Sequence, residues 1–210
     1  MHYYFFLIPV FCALTCAFCC LLFFRFAAKG MILFAIEPIL SVSTDTFCLL
    51  NPRFGNEAHN LFILLDSILL FFMARPLLPK RYANAFITVS ICIFLAGWCL
   101  SVFRSGFSNL ANYSFAVASL LITALYLIAF YHSETSTSNQ LKKPIRLICL
   151  ALVLYHCGTF VFFCGIPYLM DDNIPEIIID INTVFDSLKY LLIAIAFYLF
   201  KKKSVKAAAI

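Results

Sequence analysis

Long apolar stretches that recur along nearly the whole chain constrain the fold most strongly. A helix needs about 20 mostly apolar residues to cross a bilayer. Seven stretches reach or approach that length: 3–24, 31–50, 58–74, 82–103, 112–131, 147–169 and 177–200. Because a segment in lipid must satisfy its own backbone hydrogen bonds, these stretches are expected to be helices. The sequence therefore predicts an all-α, polytopic membrane bundle of seven transmembrane helices, forming a single domain over residues 1–210.

The composition leaves almost no room for a soluble domain. The chain is 64% hydrophobic and 12% charged, whereas soluble domains are about a quarter charged. The 25 Phe and 10 Tyr suit lipid-facing and interfacial positions. No motif of a zinc protease, a serine hydrolase, a phosphate-binding loop or a paired CxxC site is present. We therefore expect no cofactor, no metal and no nucleic-acid partner, and the bilayer itself is the first partner.

Ten cysteines raise the question of a metal site. Cys12, Cys16, Cys19 and Cys20 share one helical face, at i, i+4, i+7 and i+8. A thiolate metal site is one interpretation of this face. Packing by small apolar side chains is the other, and we favour it because no histidine or acidic partner is interleaved.

The distribution of Lys and Arg predicts the orientation. Of fifteen such residues, twelve lie in alternate loops and at the C-terminal end, Arg53 and Arg104 lie in the other loops, and Lys189 lies within a helix. Basic loops stay in the cytoplasm, so we expect the N-terminus outside and the C-terminus inside a bacterial inner membrane. No basic segment precedes the first apolar stretch, which is therefore expected to be a helix rather than a cleaved signal. The KKK run at 201–203 could contact anionic headgroups, but it is interpreted first as an anchor of the last helix.

Acidic residues interrupt several of the apolar stretches. Half of the ten acids fall there: Glu37, Asp45, Asp66, Asp180 and Asp186. Ionisable residues inside a membrane usually face the bundle interior or a water-filled cavity, so each is a candidate site residue.

The second helix is predicted to carry a polar stripe. Glu37, Ser41, Thr44 and Asp45 recur on one side, and Pro38 is expected to kink the helix. Asp66 in the third helix is expected near the level of Asp45. Two carboxylates at one level would suit a proton relay or a cation site.

The seventh helix is predicted to carry a second polar face. Asn182, Asp186 and Lys189 recur at i, i+4 and i+7. Lys189 lies near the predicted midplane and needs a partner, which Asp186 can supply at i−3. Tyr155 and His156 of the sixth helix lie at a similar depth, so the two polar faces can meet. The set is either a buried clasp between helices or a functional cavity, and we favour the cavity.

Several segments resemble a family of seven-helix bacterial membrane proteins, which occur alone or as the N-terminal membrane segments of histidine kinases. The segments that carry the resemblance are FAIEPIL, NLFILLDSILLFF, KKPIRLICLALVLYHCGTFVFF and NTVFDSLKYLLIAIAFYL, including Pro144, Tyr155 and Gly158. The resemblance implies sensing or signalling. Because no kinase is present in this chain, it also implies a separate kinase or regulator as partner.

Three functions are consistent with these features. The first is a membrane sensor or signalling subunit that acts through a separate partner. The second is a small proton- or cation-coupled transporter, which the intramembrane carboxylates favour, although no internal repeat is evident. The third is an intramembrane enzyme acting on lipid, with His156 or a carboxylate as general base. No catalytic motif supports the third function, so an enzyme is the least favoured.

Overall fold

The computed structural model describes residues 2–23, 31–109, 112–136, 139–169 and 176–208, and the side chains of 7–23, 31–109, 113–135, 141–161 and 181–202. This part of the chain is helical and contains no strand, as predicted. It contains seven α-helices: α1 (His2–Phe23), α2 (Ile36–Leu50), α3 (Gly55–Ala74), α4 (Ala83–Ser105), α5 (Asn112–Ser136), α6 (Asn139–Leu169) and α7 (Glu176–Ala208). Short 3₁₀ helices, Met31–Ala35 and Pro52–Phe54, precede α2 and α3.

Six helical segments of the described chain are long and apolar enough to cross a membrane. They are Met31–Leu50, Pro52–Ala74, Ala83–Ser105, Tyr113–Thr135, Leu141–Val161 and Ile181–Lys202. The corresponding segment of α1, Leu7–Phe23, is shorter. The chain is therefore a multi-pass membrane bundle. The seventh crossing, by α1, and the orientation in the membrane stay predictions.

Six of the seven helices close a ring. Helix α1 packs against α2 and α7, α3 packs against α2 and α5, and α6 packs against α5 and α7. Helix α4 lies outside this ring, against α3 and α5. The interior of the ring therefore receives side chains from α1, α2, α3, α5, α6 and α7.

Hydrogen bonds and ring contacts identify which loops share an end of the bundle. At one end, the amide of Asn60 donates to the carbonyls of Phe107 and Asn109, at 2.7 and 2.8 Å. We call this the Asn60 end. The other end carries the segments 75–81, 142–146 and 201–202. There, the His132 ring lies 3.3 Å from the Leu77 carbonyl, and Lys201 lies over the Phe23 ring. We call this the basic end.

Pro38 does not interrupt the middle of a helix. The 3₁₀ segment Met31–Ala35 ends before it, and α2 begins at Ile36. Pro38 is thus the third residue of α2. Proline is tolerated in the first turn because the N–H groups there have no helical partner. The helix thus changes from 3₁₀ to α geometry two residues before Pro38, and the kink itself stays a prediction.

The segment 132–144, which lies between two of the predicted apolar stretches, is helical in its described residues. Helix α5 continues to Ser136 and α6 begins at Asn139. Ser133 donates to the carbonyl of Phe130 at 2.7 Å, and Arg146 pairs with Glu134 at 2.7 Å. Polar residues can extend a helix beyond its apolar part, because hydropathy marks the span and not the end of the helix.

The cysteines of α1 pack as predicted. Cys16 and Cys20 are fully buried, with their sulfurs 3.9 Å apart, and Cys12 and Cys19 pack partly against the same core. Among the described side chains, no group of three or more His, Cys, Asp or Glu residues could hold a metal ion.

Candidate functional site

Lys189 is the centre of a buried charged cluster. Only 4% of the residue is exposed, and Nζ lies 2.9 Å from Asp186 Oδ1. The prediction that Lys189 pairs with Asp186 and faces the bundle interior is therefore confirmed. The i, i+3 spacing on α7 brings these two side chains together locally.

Glu37 of α2 is the second partner of Lys189, and the sequence did not predict this contact. Glu37 Oε1 lies 2.9 Å from Lys189 Nζ and also accepts a hydrogen bond from the Tyr190 hydroxyl at 3.1 Å. Only 2% of Glu37 is exposed. The two carboxylates and the ammonium thus join α2 to α7 across 152 residues of sequence. The polar stripe on α2 signalled a role for Glu37, but it gave no partner.

Two aromatic rings complete the surroundings of Lys189. Its Nζ lies 4.1 Å from the ring centroid of Tyr155 on α6 and 4.1 Å from that of Tyr190. A cation over an aromatic face is attracted by the negative face of the ring. The expected meeting of α6 and α7 therefore occurs through Tyr155. Lys189 is thus fully compensated by two carboxylates and two rings, as a buried charge requires.

A cavity of about 350 Å³ adjoins this cluster. It lies between the cluster and the Asn60 end of the bundle. It receives side chains from all six ring helices and none from α4. Its lining is Pro9, Ser41, Asp45, His59, Phe62, Ile63, Phe115, Tyr155, Asn182, Thr183, Asp186 and Lys189. The side chain of Asp186 is 18% exposed, compared with 4% for Lys189. Asp186 is therefore more accessible from the cavity than Lys189.

Among the described residues, Asp45 is the acid of this cavity that forms no ion pair. It lines the cavity together with Ser41, and it lies within electrostatic range of Asp186 and Lys189. Because Lys189 is already bonded to two carboxylates, the charge of Asp45 is left uncompensated. The cavity therefore favours a positively charged group or a proton.

Thr44 departs from the predicted polar stripe. Its hydroxyl donates to the Leu40 carbonyl of its own helix at 3.0 Å. It lines a second groove of about 450 Å³ between α2 and α3, whose other residues include Phe47, Leu61 and Leu65. Those three side chains are 44–49% exposed, as expected for a surface in contact with lipid. This groove has no charged cluster, and we do not assign a site to it.

Asp66 lies close to the Lys189 cluster rather than against Asp45. Its strongest electrostatic neighbours are Glu37, Lys189 and Asp186. It does not line the cavity and is only 3% exposed. Its Oδ1 has no hydrogen-bond partner among the described residues. The carboxylates of α2 and α3 that come within electrostatic range of each other are therefore Glu37 and Asp66.

His156 is enclosed and does not line the cavity. It is fully buried, and Nδ1 lies 3.4 Å from Ser119 Oγ on α5. Its Nε2 has no hydrogen-bond partner in the described part of the chain. The contact with Ser119 was not predicted, although Ser119, Thr123 and Tyr126 recur on one face of α5 at i, i+4 and i+7. The remaining predicted intramembrane acid, Asp180, lies outside the described side chains, as do Asp171 and Asp172.

Comparison of the chain with protein-family models, curated proteins and solved structures finds no match. The resemblance to the membrane segments of histidine kinases therefore stays an expectation from the quoted segments. Function has to be argued from the cavity and the charged cluster themselves.

Proposed function

We propose that this chain is a membrane sensor or signalling subunit, which binds a small ligand in the cavity and acts through a separate partner. The observation that carries the proposal is the double role of α7. This helix supplies Asp186 and Lys189 to the site, and it continues without interruption to Ala208. Its 33 residues span about 50 Å, which exceeds the hydrocarbon core of about 30 Å. A displacement at the site can therefore be carried to the basic end by one rigid element.

The charges of the site indicate the class of ligand. Lys189 is held by two carboxylates and is not free to bind an anion. Asp45 and the exposed edge of Asp186 can accept hydrogen bonds from an ammonium group in the cavity. The aromatic rings of Phe62, Phe115 and Tyr155 line the same cavity, and a cation is attracted to the face of such a ring. A small organic cation or a proton suits this lining better than an anion does.

Binding of a cation would compete with Lys189 for Asp186. A weaker bond between Asp186 and Lys189 changes the balance of the cluster, because Lys189 also joins α7 to Glu37 of α2. Helix displacements of about 1–2 Å are an established way to transmit a signal. With the predicted orientation, the cavity faces the outside of a bacterial inner membrane, and the end of α7 meets a kinase or regulator in the cytoplasm.

Transport of protons or cations is a second candidate, and Asp66 favours it. This carboxylate continues the acidic series from the cavity into the interior, within electrostatic range of Glu37 and Lys189. Carboxylates in series are typical of proton relays in transporters. The third candidate, an enzyme, has less support, because His156 does not line the cavity.

One pair of variants separates the two leading candidates. Asp45→Asn removes the uncompensated acid of the cavity. The matched control, Glu57→Gln, removes an acid that lies in the first turn of α3 and lines only the α2–α3 groove. Each variant is crosslinked in cells and captured through a tag on the C-terminus, and each is also reconstituted in liposomes.

The outcomes differ between the candidates. The sensor is supported if a kinase or regulator is captured reproducibly. Its yield or activity must also change in Asp45→Asn and not in Glu57→Gln. Proton or cation flux by the purified protein alone, abolished only in Asp45→Asn, supports the transporter. If neither measurement distinguishes the two variants, the cavity is not the functional site.

A further inference from the structure

A basic groove at the opposite end of the molecule is independent of the site described above. It has a volume of about 520 Å³ and lies between the end of α5 and the beginning of α6. Its lining consists of three cations and three apolar side chains: Lys142, Lys143, Arg146, Phe130, Leu147 and Leu150. No acid lines it. We propose that this groove binds the headgroup of an anionic phospholipid.

The position of the cations matches the boundary between headgroups and hydrocarbon. The apolar segment of α6 begins at Leu141, so Lys142 and Lys143 stand in its first turn. Lys142, Arg146 and Leu150 recur at i, i+4 and i+8 and therefore share one face of the helix. From Lys142 to Leu150 the helix rises about 12 Å. If the phosphate of a lipid lies at the cations, the part of its acyl chain nearest the headgroup lies along Leu147 and Leu150. Leu150 is 40% exposed and is therefore accessible to that chain.

The contacts of the cations leave positive charge available to a ligand. Arg146 pairs with Glu134 at 2.7 Å, and its guanidinium lies 4.9 Å from the centroid of the Phe130 ring. These contacts orient Arg146 at the side of the groove. Lys142 and Lys143 form no ion pair with any acid in the described part of the chain. Three cations against one acid leave a net charge that attracts a phosphate.

The apolar floor decides between a lipid and a soluble anion. Free phosphate would use the cations but would gain nothing from Phe130, Leu147 and Leu150. A phospholipid uses both, because its phosphate and its acyl chain lie in the same order as the cations and the leucines. Basic pockets between transmembrane helices are known to bind anionic headgroups in this way.

The experiment measures lipid binding to the purified protein in a detergent. Phosphatidylglycerol and phosphatidylcholine with the same acyl chains are compared by native mass spectrometry, and by the rise in melting temperature during titration. The test variant is Lys142→Gln/Lys143→Gln/Arg146→Gln. The control, Lys201→Gln/Lys202→Gln/Lys203→Gln, removes the same charge from α7. A third variant, Lys142→Arg/Lys143→Arg, keeps the charge and shows that the groove tolerates substitution.

We expect the wild type to prefer phosphatidylglycerol. Each cation near an anionic headgroup contributes roughly fivefold in affinity, so the test variant is expected to bind phosphatidylglycerol at least about tenfold more weakly. The α7 control and the arginine variant are expected to retain the preference. Equal losses in the test variant and the α7 control would overturn the proposal, because charge alone would then explain the binding. The proposal would also be overturned if inorganic phosphate displaced bound phosphatidylglycerol as effectively as added phosphatidylglycerol does. The groove would then be a site for a soluble anion.

If the test variant fails to fold, the double variant Lys142→Gln/Lys143→Gln replaces it. That variant leaves the Arg146–Glu134 pair intact, and it is expected to lose part of the preference for phosphatidylglycerol. An unchanged preference in this double variant would overturn the proposal.

Discussion

At the scale of single residues, Lys189 determines the stability of the interior. Its ammonium lies 2.9 Å from a carboxylate oxygen of both Glu37 and Asp186. Removal of one partner from a buried ion pair is strongly destabilising, by about 3–5 kcal/mol, because an uncompensated charge is left behind. Lys189→Met is therefore expected to lower the melting temperature by roughly 6–20 °C, measured by thermal unfolding in detergent.

Two further variants show whether charge or packing is responsible. In Lys189→Met/Glu37→Gln/Asp186→Asn all three formal charges are gone, and we expect at least half of the lost stability to return. Lys80→Met removes an exposed lysine that has no such partners and is expected to have little effect. If Lys189→Met and Lys80→Met melt at the same temperature, the ion cluster does not stabilise the bundle.

Tyr190 provides a second test at this scale, because a matched tyrosine exists. Both Tyr190 and Tyr126 are fully buried. The Tyr190 hydroxyl donates to the Glu37 carboxylate at 3.1 Å, whereas the Tyr126 hydroxyl donates to the Leu70 carbonyl at 3.1 Å. Bonds to charged groups contribute about 1.5–3 kcal/mol and neutral ones about 0.5–1.5 kcal/mol. Tyr190→Phe is thus expected to destabilise more than Tyr126→Phe, measured by thermal unfolding, and the reverse order would contradict the assignment of Glu37 as a carboxylate.

The predictability of these contacts depends on their distance along the chain. The bond between Lys189 and Asp186 follows from the helical period alone, so the sequence predicted it. The bond between Lys189 and Glu37 requires that α2 lie beside the interior face of α7, and no local pattern specifies which helices meet. The same limitation explains why the Ser119 partner of His156 was missed, and why Asp66 was placed only near the level of Asp45.

At the scale of helices, Gly158 sets the distance between α6 and α7. A Cβ atom at this position would lie 3.2 Å from two atoms of the Phe185 ring, closer than an ordinary contact. Overpacking of this kind costs about 1–3 kcal/mol. Gly158→Ala is therefore expected to lower stability and to displace Phe185, which adjoins Asp186 in the site. The measurements are thermal unfolding and the binding of ligand or protons by the cavity.

Gly97 on α4 is the matched control for Gly158. A Cβ there would find its nearest neighbour, Val117, at 4.0 Å. Gly97→Ala therefore meets no obstacle and gains helix propensity of up to about 1 kcal/mol. The two substitutions are expected to have opposite signs. Phe185→Leu in the Gly158→Ala background should restore part of the loss, and equal effects at both glycines would show that the α6–α7 contact is not close.

The helices themselves could be predicted from hydropathy, but their arrangement could not. Apolar length located each helix to within a few residues, except where polar residues extend α5, α6 and α7 beyond the apolar part. The position of α4 outside the ring was not predicted, although its apolar stretch is the most apolar of the six spans, as suits a helix exposed to lipid. The site nevertheless depends on that position, because it is the six ring helices that line the cavity.

At the scale of the whole molecule, α1 decides on which side of the membrane the N-terminus lies. The described apolar segment of α1, Leu7–Phe23, is shorter than the six other segments. Yet α1 packs against both α2 and α7, as the other ring helices pack against their neighbours, and Pro9 lines the cavity. A helix that closes the ring around buried charges has to lie at the depth of those charges. We therefore expect α1 to cross the membrane.

Seven crossings place the two termini on opposite sides, whereas six would place them on the same side. Because basic segments stay in the cytoplasm, we expect a C-terminal green fluorescent protein to fluoresce. Alkaline phosphatase fused after Gly106, at the Asn60 end, is expected to be active, and a fusion after Pro79, at the basic end, is expected to be inactive. An N-terminal epitope should be cleaved by protease added to intact spheroplasts. A protected epitope together with a fluorescent C-terminus would mean that α1 does not cross, and the cavity would then lack one of its membrane-spanning walls.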